Sequence, residues 1–397
     1  MFESLIARPP DAIIALMELA KADKNPNKID LGVGVYKTDD GATPIMRAVK
    51  QAEGLYLTEE TTKSYVSTVG NSDFRTHMLD LIFGDNFAPL NENRIASAQA
   101  TGGSGALRIG AELIKSSGKD PVVWVPTPTW ANHEPLIGSV GLTIKSYPYY
   151  NRETLGVDFE DMLEHLKANA TAGDVVVFHG CCHNPTGADL APAEWDRAAE
   201  FMRDHELIPF IDLAYFGLGD GLEHDTYGLR KIGVTCPELI LAASCSKNFA
   251  LYKERVGLVA AITSTADQAK VVQGQLGALQ RRLTSMPPDH GAALVARILG
   301  DAKLRAVWLE ELTEMRDRIK QLRKDLSDAL RVQGAEAMAD AIIDQNGMFS
   351  TLPLSVEQVK RLRAEHSVYM TKSGRINIAG ANSSNIPRLA AAILDVL

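Results

Sequence analysis

Lys247 stands at the end of an apolar run, in the segment LILAASCSKNFALYKERVG that occupies residues 239–257. Leu239–Ala243 lead into Ser244, Cys245 and Ser246, then the lysine, and Arg255 follows eight residues later. A run bounded this way reads as a buried strand opening on a polar site. A lysine there is partly desolvated, which lowers its proton affinity and leaves a nucleophilic amine. The hydroxyls of Ser244 and Ser246 and the guanidinium of Arg255 suit a phosphate monoester. An amine beside a phosphate cradle is what pyridoxal phosphate requires. A single lysine after a strand is more commonly a plain surface residue, so the weight rests on what accompanies it.

Several groups have the right chemistry. Gly102-Gly103-Ser104-Gly105 precedes ALRIGAELI, and a glycine turn opening a helix aims backbone N–H groups at an anion. The same turn also serves as a plain helix cap, and it matches neither GxGxxG nor the GxxxxGK[ST] loop. Trp130, in PTPTWANH, offers an indole to stack on a flat ring or to pack in a core. His133, three residues on, is placed either to orient a buried carboxylate or to fill a structural role. In VVVFHGCCHNPTGAD, residues 175–189, Asn184 follows a buried strand, and its amide can donate to a phenolate oxygen. Asn-Pro is equally a turn initiator. Asp212 ends LIPFID, where a buried carboxylate needs a cationic partner such as a protonated pyridine nitrogen, or else caps a helix. Tyr215 could bond the same phenolate. Arg375, in SGRINIAG, and Arg281, in QRRLTSMPPDHG, could each grip a carboxylate through a bidentate fork, though most arginines are solvated.

The elements that must hold these groups alternate. β-Branched runs at 121–125, 142–147, 174–178, 207–211, 239–243 and 256–262 are separated by helix-like stretches such as 104–116 and 191–205. This predicts an α/β fold with a mainly parallel sheet flanked by helices, with ligands at the carboxyl ends of the strands. Leu304, Trp308, Leu312, Met315, Ile319, Leu322, Leu326 and Leu330 recur at helical spacing over residues 302–333, and Gly334 is a plausible stop. A large domain over 44–314 and a smaller α+β domain from 1–43 and 315–397 are expected.

Composition excludes several classes. The chain has 397 residues with 45% hydrophobic and 23% charged residues, ordinary for a globular enzyme. A net charge of −9 and the lack of a basic run give no footprint for nucleic acid. No apolar run reaches the about 18 residues that a membrane span needs. The opening MFESLIARPPDAIIALMELA lacks the basic start and cleavage site of a leader. Cys181, Cys182, Cys236 and Cys245 show no CxxC spacing, so neither a metal site nor a disulfide framework is expected, and a reducing cytoplasm is.

Taken together, the order and spacing of these groups are not generic. The chain resembles the aspartate and aromatic amino acid aminotransferases of fold type I, the pyridoxal-phosphate family, from LGVGVYKTDDG at 31–41 to SGRINIAG at 373–380. ETTKSY, GGSGALR, FHGCCHNPTG, DLAYFGLGDGL and SKNFALYKERVG carry the likeness. The resemblance implies pyridoxal phosphate as cofactor, amino acids and 2-oxo acids as substrates, and a homodimer with shared sites. By the same resemblance Lys247 holds the cofactor covalently and moves the proton. Asp212, oriented by His133, pairs with the ring nitrogen, and Asn184 and Tyr215 hold the phenolate. Ser244, Ser246, Arg255, Gly103 and Ser104 hold the phosphate, and Tyr65 reaches it from the partner subunit. Trp130 lies on the ring face and, with Asn184 and the backbone of Gly34, borders the substrate. Arg375 takes the α-carboxylate, and Arg281 of the partner subunit takes a side-chain carboxylate; the adjacent Arg282 competes for that assignment.

Departures concern specificity. Met286 and Ser64 stand where strict aspartate enzymes of the family carry Asn. Thr284 replaces an aromatic residue, Ser104 a common Thr, and Cys245 a common Tyr. Fewer polar groups leave room for an aromatic side chain. The expected activity is transfer from aromatic amino acids and from aspartate or glutamate to 2-oxo acids such as 2-oxoglutarate. A strict aspartate enzyme is the alternative. A non-catalytic ligand-binding relative would have lost Lys247 or Asp212, and a nucleotide-dependent oxidoreductase lacks its GxGxxG.

Overall fold

The structure, a computed structural model, describes residues 1–7 and 11–397. Arg8, Pro9 and Pro10, within the opening stretch read above for a leader, lie outside the described residues. Two compact units divide the chain. One comprises Met1–Thr43, Ile319–Asp344 and Met348–Leu397; the other comprises Pro44–Arg318 and Gln345–Gly347.

The larger unit is built on a seven-stranded sheet. Its strands in chain order are β1 (Ile95–Thr101), β2 (Val122–Thr127), β3 (Thr143–Pro148), β4 (Val175–His179), β5 (Ile208–Leu213), β6 (Leu239–Ser244) and β7 (Val256–Ile262). In space they run β1-β7-β6-β5-β4-β2-β3. β7 is antiparallel to both of its neighbours, while β6, β5, β4, β2 and β3 pair in parallel. The six predicted strands are all present. β1 is an addition, because IASAQAT has too few β-branched residues to read as a strand.

The single reversal has a simple cause. Only Cys245–Arg255 separate β6 from β7, and a parallel return needs a crossover of about a dozen residues or more, usually a helix. The reversal has a chemical consequence. It puts Arg255, at the amino end of β7, on the same edge of the sheet as the carboxyl ends of the other six strands. Val256 pairs with Thr101, and Gly257 pairs with Ser244.

β4, β5, β6 and β7 are buried at nearly every position, as strands covered on both faces must be. The helix Gly102–Ser116 packs Ala106, Leu107, Ile109, Ala111 and Ile114 against them. Asp174, just before β4, accepts from the Val122 N–H at 3.0 Å, the Trp124 Nε1–H at 3.1 Å and the Thr171 N–H at 3.0 Å. A buried carboxylate is tolerated because these donors replace water.

The helix Ala302–Val332 carries the predicted apolar stripe, and all eight of its residues are buried. Gly334 takes φ +85°, as a helix stop requires. In the larger unit this helix also braces the lysine loop. Trp308 donates from Nε1 to the Asn248 carbonyl at 2.8 Å and stacks on Phe249 at 4.5 Å.

In the smaller unit, Ile29–Asp30 pairs in parallel with Val368–Tyr369, and Phe349–Thr351 pairs antiparallel with Arg375–Asn377. Among the described residues no helix is long and apolar enough to cross a membrane.

Candidate active site

The carboxyl edge of the large sheet collects most of the residues singled out above. Lys247 follows β6 by three positions and lies partly buried, its Nζ 4.6 Å from the centre of the Tyr215 ring. Burial lowers its pKa from 10.5 to about 8; Asp212 opposes the shift and Arg255 adds to it. This is the desolvated amine expected at a strand end.

Asp212, on β5, is buried at 6% exposure and meets His133 Nε2 at 3.0 Å through Oδ2. Burial alone would raise its carboxyl. The hydrogen bond from His133, helped by the nearby Lys247 ammonium, outweighs that, so the pKa falls below its ordinary value. Asp212 is therefore an anion held ready inside the protein.

A chain of hydrogen bonds continues behind it. His133 Nδ1 lies 2.7 Å from Thr129 Oγ1, which lies 3.0 Å from His179 Nε2. Burial, with help from His183 and His133, holds the His179 pKa well below 6.5. A neutral His179 has one N–H, and donating it to Thr129 leaves the threonine O–H to donate to His133 Nδ1. The ionised Asp212 can only accept, so His133 presents Nε2–H to it. His183 continues the cluster, its ring 4.1 Å from His179 and stacked on Tyr149 at 4.3 Å. Burial lowers its pKa to about 3. β4 and β5 pair with His179 opposite Asp212, and that register brings the relay together. The sequence reading assigned no role to Thr129, His179 or His183. The only signal for them was the cluster of histidines around strand ends.

A set of donors suited to a phosphate surrounds the lysine in sequence. Ser244 Oγ donates to Ser246 Oγ at 3.0 Å, and both hydroxyls are buried. Gly102 opens its 15-residue helix at φ +68°. A Cβ at Gly102 would sit 2.4 Å from Arg255 Nη2, and one at Gly103 would sit 3.1 Å from Ser244 Cβ. Glycine is needed there for the backbone to approach both groups. Ser104 lies in the first turn of that helix, where N–H groups face an anion. Asn184 and Tyr215 are buried in the loops after β4 and β5. Trp130 crosses the His133 ring edge-on at 5.4 Å. A flat, phosphorylated ring with a carbonyl and a basic nitrogen fits this donor set, so the residues suit pyridoxal phosphate.

The other expected residues lie outside the seven-stranded sheet. Tyr65 is 92% exposed. Arg281 and Arg282 are exposed in the last turn of the helix Ala266–Thr284. Gly34 and Arg375 belong to the smaller unit. There Arg375 donates from Nη2 to the Gly32 carbonyl at 2.7 Å and lies 4.6 Å from the centre of the Phe349 ring. A Cβ at Gly34 would be 2.9 Å from Phe349 Cζ. Asn377 Nδ2 donates to the Val33 and Val35 carbonyls, at 2.6 and 2.8 Å, and so pins the chain on both sides of Gly34. Phe349 and Asn377 were not anticipated from the sequence.

Residues 26–393 match the model of the family described as aminotransferase class I and II. The chain is 45% identical over 397 residues to an aspartate aminotransferase of Haemophilus influenzae, with 100% of both chains covered. It is 44% identical over 396 residues to an aromatic-amino-acid aminotransferase of Paracoccus denitrificans, again with 100% of both covered. A crystal structure of an aromatic-amino-acid aminotransferase from Burkholderia pseudomallei, covalently bound to pyridoxal phosphate, superposes with a TM-score of 0.97 at 39% identity. That likeness covers 100% of this chain and 99% of the other. With the lysine, the carboxylate–histidine pair and the glycine–serine–arginine cradle in place, the chain belongs to the class I and II aminotransferases.

Proposed function

We propose that this transaminase transfers the amino group of aromatic amino acids, and of aspartate or glutamate, to 2-oxo acids such as 2-oxoglutarate, in two half-reactions at one site. The observation that carries it is the pairing, on one sheet edge, of a lysine whose pKa is lowered to about 8 with a buried carboxylate held by histidine. The breadth of substrate is supported by relatives named for both substrate classes, by Ser64 and Met286, which lack the side-chain amide of Asn, and by Thr284, which is smaller than an aromatic residue.

Pyridoxal phosphate, when bound, supplies the sink for the electron pair left by loss of the substrate's α-proton. Lys247 would hold the cofactor through Nζ, and as a neutral amine it would take the substrate's α-proton and return it. Asp212 holds a proton on the ring nitrogen by presenting its charge there. His133, Thr129 and His179 keep that carboxylate oriented. Asn184 and Tyr215 hold the phenolate oxygen. Ser244, Ser246, Arg255, Gly103 and Ser104 hold the phosphate, and Trp130 covers the ring and excludes water. Arg375 takes the α-carboxylate beside Gly34.

The site is completed in a homodimer. Tyr65 and Arg281, exposed in the single chain, reach the partner's cofactor phosphate and the partner's substrate side chain. Mixing inactive Lys247→Ala chains with inactive Arg281→Ala chains then restores part of the aspartate activity, because one site of each mixed dimer has both residues intact. Mixed dimers that form and show no rescue place Arg281 in its own chain's site or outside any site. The cytoplasm is the proposed compartment, supported by four cysteines that form no disulfide.

Specificity is tested by two variants on two substrates. Arg281→Ala removes a bidentate partner for the aspartate side chain. It should lower kcat/KM for aspartate by about two to three decades and that for phenylalanine far less. Arg375→Ala removes the α-carboxylate partner and should lower both alike. Equal losses in Arg281→Ala make that residue structural or give its role to Arg282. A wild type that leaves phenylalanine untouched is a strict aspartate enzyme.

A further inference from the structure

Cys181 and Cys182 directly follow β4 and Gly180 and take no part in the amine chemistry. Adjacent side chains of an extended chain point to opposite faces. Cys182 instead has φ +51°, a left-handed conformation uncommon outside glycine, asparagine and aspartate. Both sulfurs come to one side. The two Sγ atoms and a carboxylate oxygen of Asp225 lie within 4.8 Å of one another. Cys182 Sγ also donates to the Tyr215 carbonyl at 4.0 Å. Cys181 is 6% exposed and Cys182 is 1% exposed.

Asp225 is anchored from the other side. Its Oδ2 accepts the Gly217 N–H at 2.7 Å and the Gly219 N–H at 3.0 Å, and its Oδ1 accepts the Asp220 N–H at 2.7 Å. Oδ1 retains a lone pair for a further donor. Gly219 keeps the space between carboxylate and sulfur clear. A Cβ there would lie 2.7 Å from Asp225 Oδ1 and 3.1 Å from Cys182 Sγ.

Charge decides what such a cluster takes. A divalent cation would need both thiols deprotonated, and two thiolates with Asp225 would leave a net negative charge buried around it. Burial raises the Cys181 thiol well above its ordinary range, which opposes that loss of protons. A neutral ligand that exchanges hydroxyl groups for thiols meets no such cost.

We propose that Cys181 and Cys182 form a dithiol site for trivalent arsenic, taken up as arsenous acid, with Asp225 accepting the hydrogen bond of the remaining As–OH. Two As–O bonds break and two As–S bonds form. Each thiol proton leaves with a hydroxyl as water, so one arsenous acid and two thiols give one dithioarsenite and two waters, and nothing is oxidised or reduced. Both sulfurs are buried, so entry follows a local opening of the loop. The second As–S bond closes within the same chain, and that intramolecular step is the source of selectivity over the isolated Cys236 and Cys245.

The probe is arsenite added to the pyridoxal-phosphate-loaded enzyme, followed by gel filtration and elemental analysis. The wild type should retain one arsenic per chain, released by a small dithiol and not by a monothiol at the same thiol concentration. Cys181→Ser and Cys182→Ser should each weaken retention by about a hundredfold or more, while Cys236→Ser and Cys245→Ser keep it. A second measurement needs no variant. Denaturation and alkylation of arsenite-treated wild type should label Cys236 and Cys245 and spare the Cys181–Cys182 peptide. Retention that survives either serine variant, labelling of all four cysteines alike, or a wild type that retains no arsenic overturns the proposal.

Discussion

Lys247→Ala is expected to abolish transamination, with a loss of several decades in rate and no loss of fold. The size follows from the two tasks the residue performs. It is the nucleophile that carries the cofactor and the base that moves the proton, and removing a group that acts twice costs more than removing either function. The cradle of Ser244, Ser246, Arg255 and the Gly102–Gly103 turn is untouched, so the variant should still bind the cofactor non-covalently. Denaturing mass spectrometry after borohydride reduction should find it attached in wild type and absent in Lys247→Ala. The lowered pKa sets a further expectation. Below about pH 8 most of the amine is protonated and cannot attack. Covalent capture of cofactor by the cofactor-free protein should therefore rise about tenfold per pH unit below that value and level off above it. Near-normal turnover by Lys247→Ala, or capture that still climbs steeply towards pH 10, would remove the lysine from its assigned place.

How much of this was legible in the sequence depended on how locally each feature is encoded. The six strands rich in β-branched residues were readable because burial on both faces leaves continuous apolar runs. β1 was not, because alanine and serine give no strand signal and only the pairing with β7 orders them. The reversal of β7 is implicit in the eleven residues between β6 and β7, too few for a parallel crossover. Lys247, Asp212 and the glycine turn were legible because each sits at the boundary between an apolar run and a polar stretch.

The relay from Asp212 through His133 and Thr129 to His179 was not legible. It depends on the register that sets His179 of β4 opposite Asp212 of β5, and register is not visible in one strand at a time. Tyr65 and Arg281 mark a different limit. Their exposure in the single chain is what residues acting on a partner's site would show, so their roles were reached through resemblance and not through local pattern. Phe349 and Asn377 were overlooked for a simpler reason. They support Arg375 and Gly34 from neighbouring strand positions, and a phenylalanine and an asparagine in a short strand carry no chemical signature.

Asp212→Asn is the second large effect, and it separates charge from shape. The amide matches the carboxylate in size, so packing on β5 should hold and stability should change little. His133 Nε2–H can still donate to the remaining oxygen. What disappears is the anion. A ring nitrogen facing Asp212 keeps its proton because a buried negative charge beside it makes the protonated form the lower in free energy. An amide gives no such preference and turns an N–H toward the ring. The electron pair released at the α-carbon then has a weaker sink. Turnover should fall by far more than tenfold for aromatic and dicarboxylate substrates alike, since the defect lies in the step they share. His133→Asn should cost less, because the charge stays and only its orientation loosens. The two variants also differ in a readout other than rate. Asp212→Asn should shift the visible absorption of the bound cofactor and the pH at which it changes, whereas His133→Asn should leave the band near its wild-type position. If Asp212→Asn retains more than about a tenth of wild-type activity, a barrier change below roughly 1.4 kcal/mol, then Asp212 is a structural anchor for His133. The ring nitrogen must then find its partner elsewhere on the sheet edge.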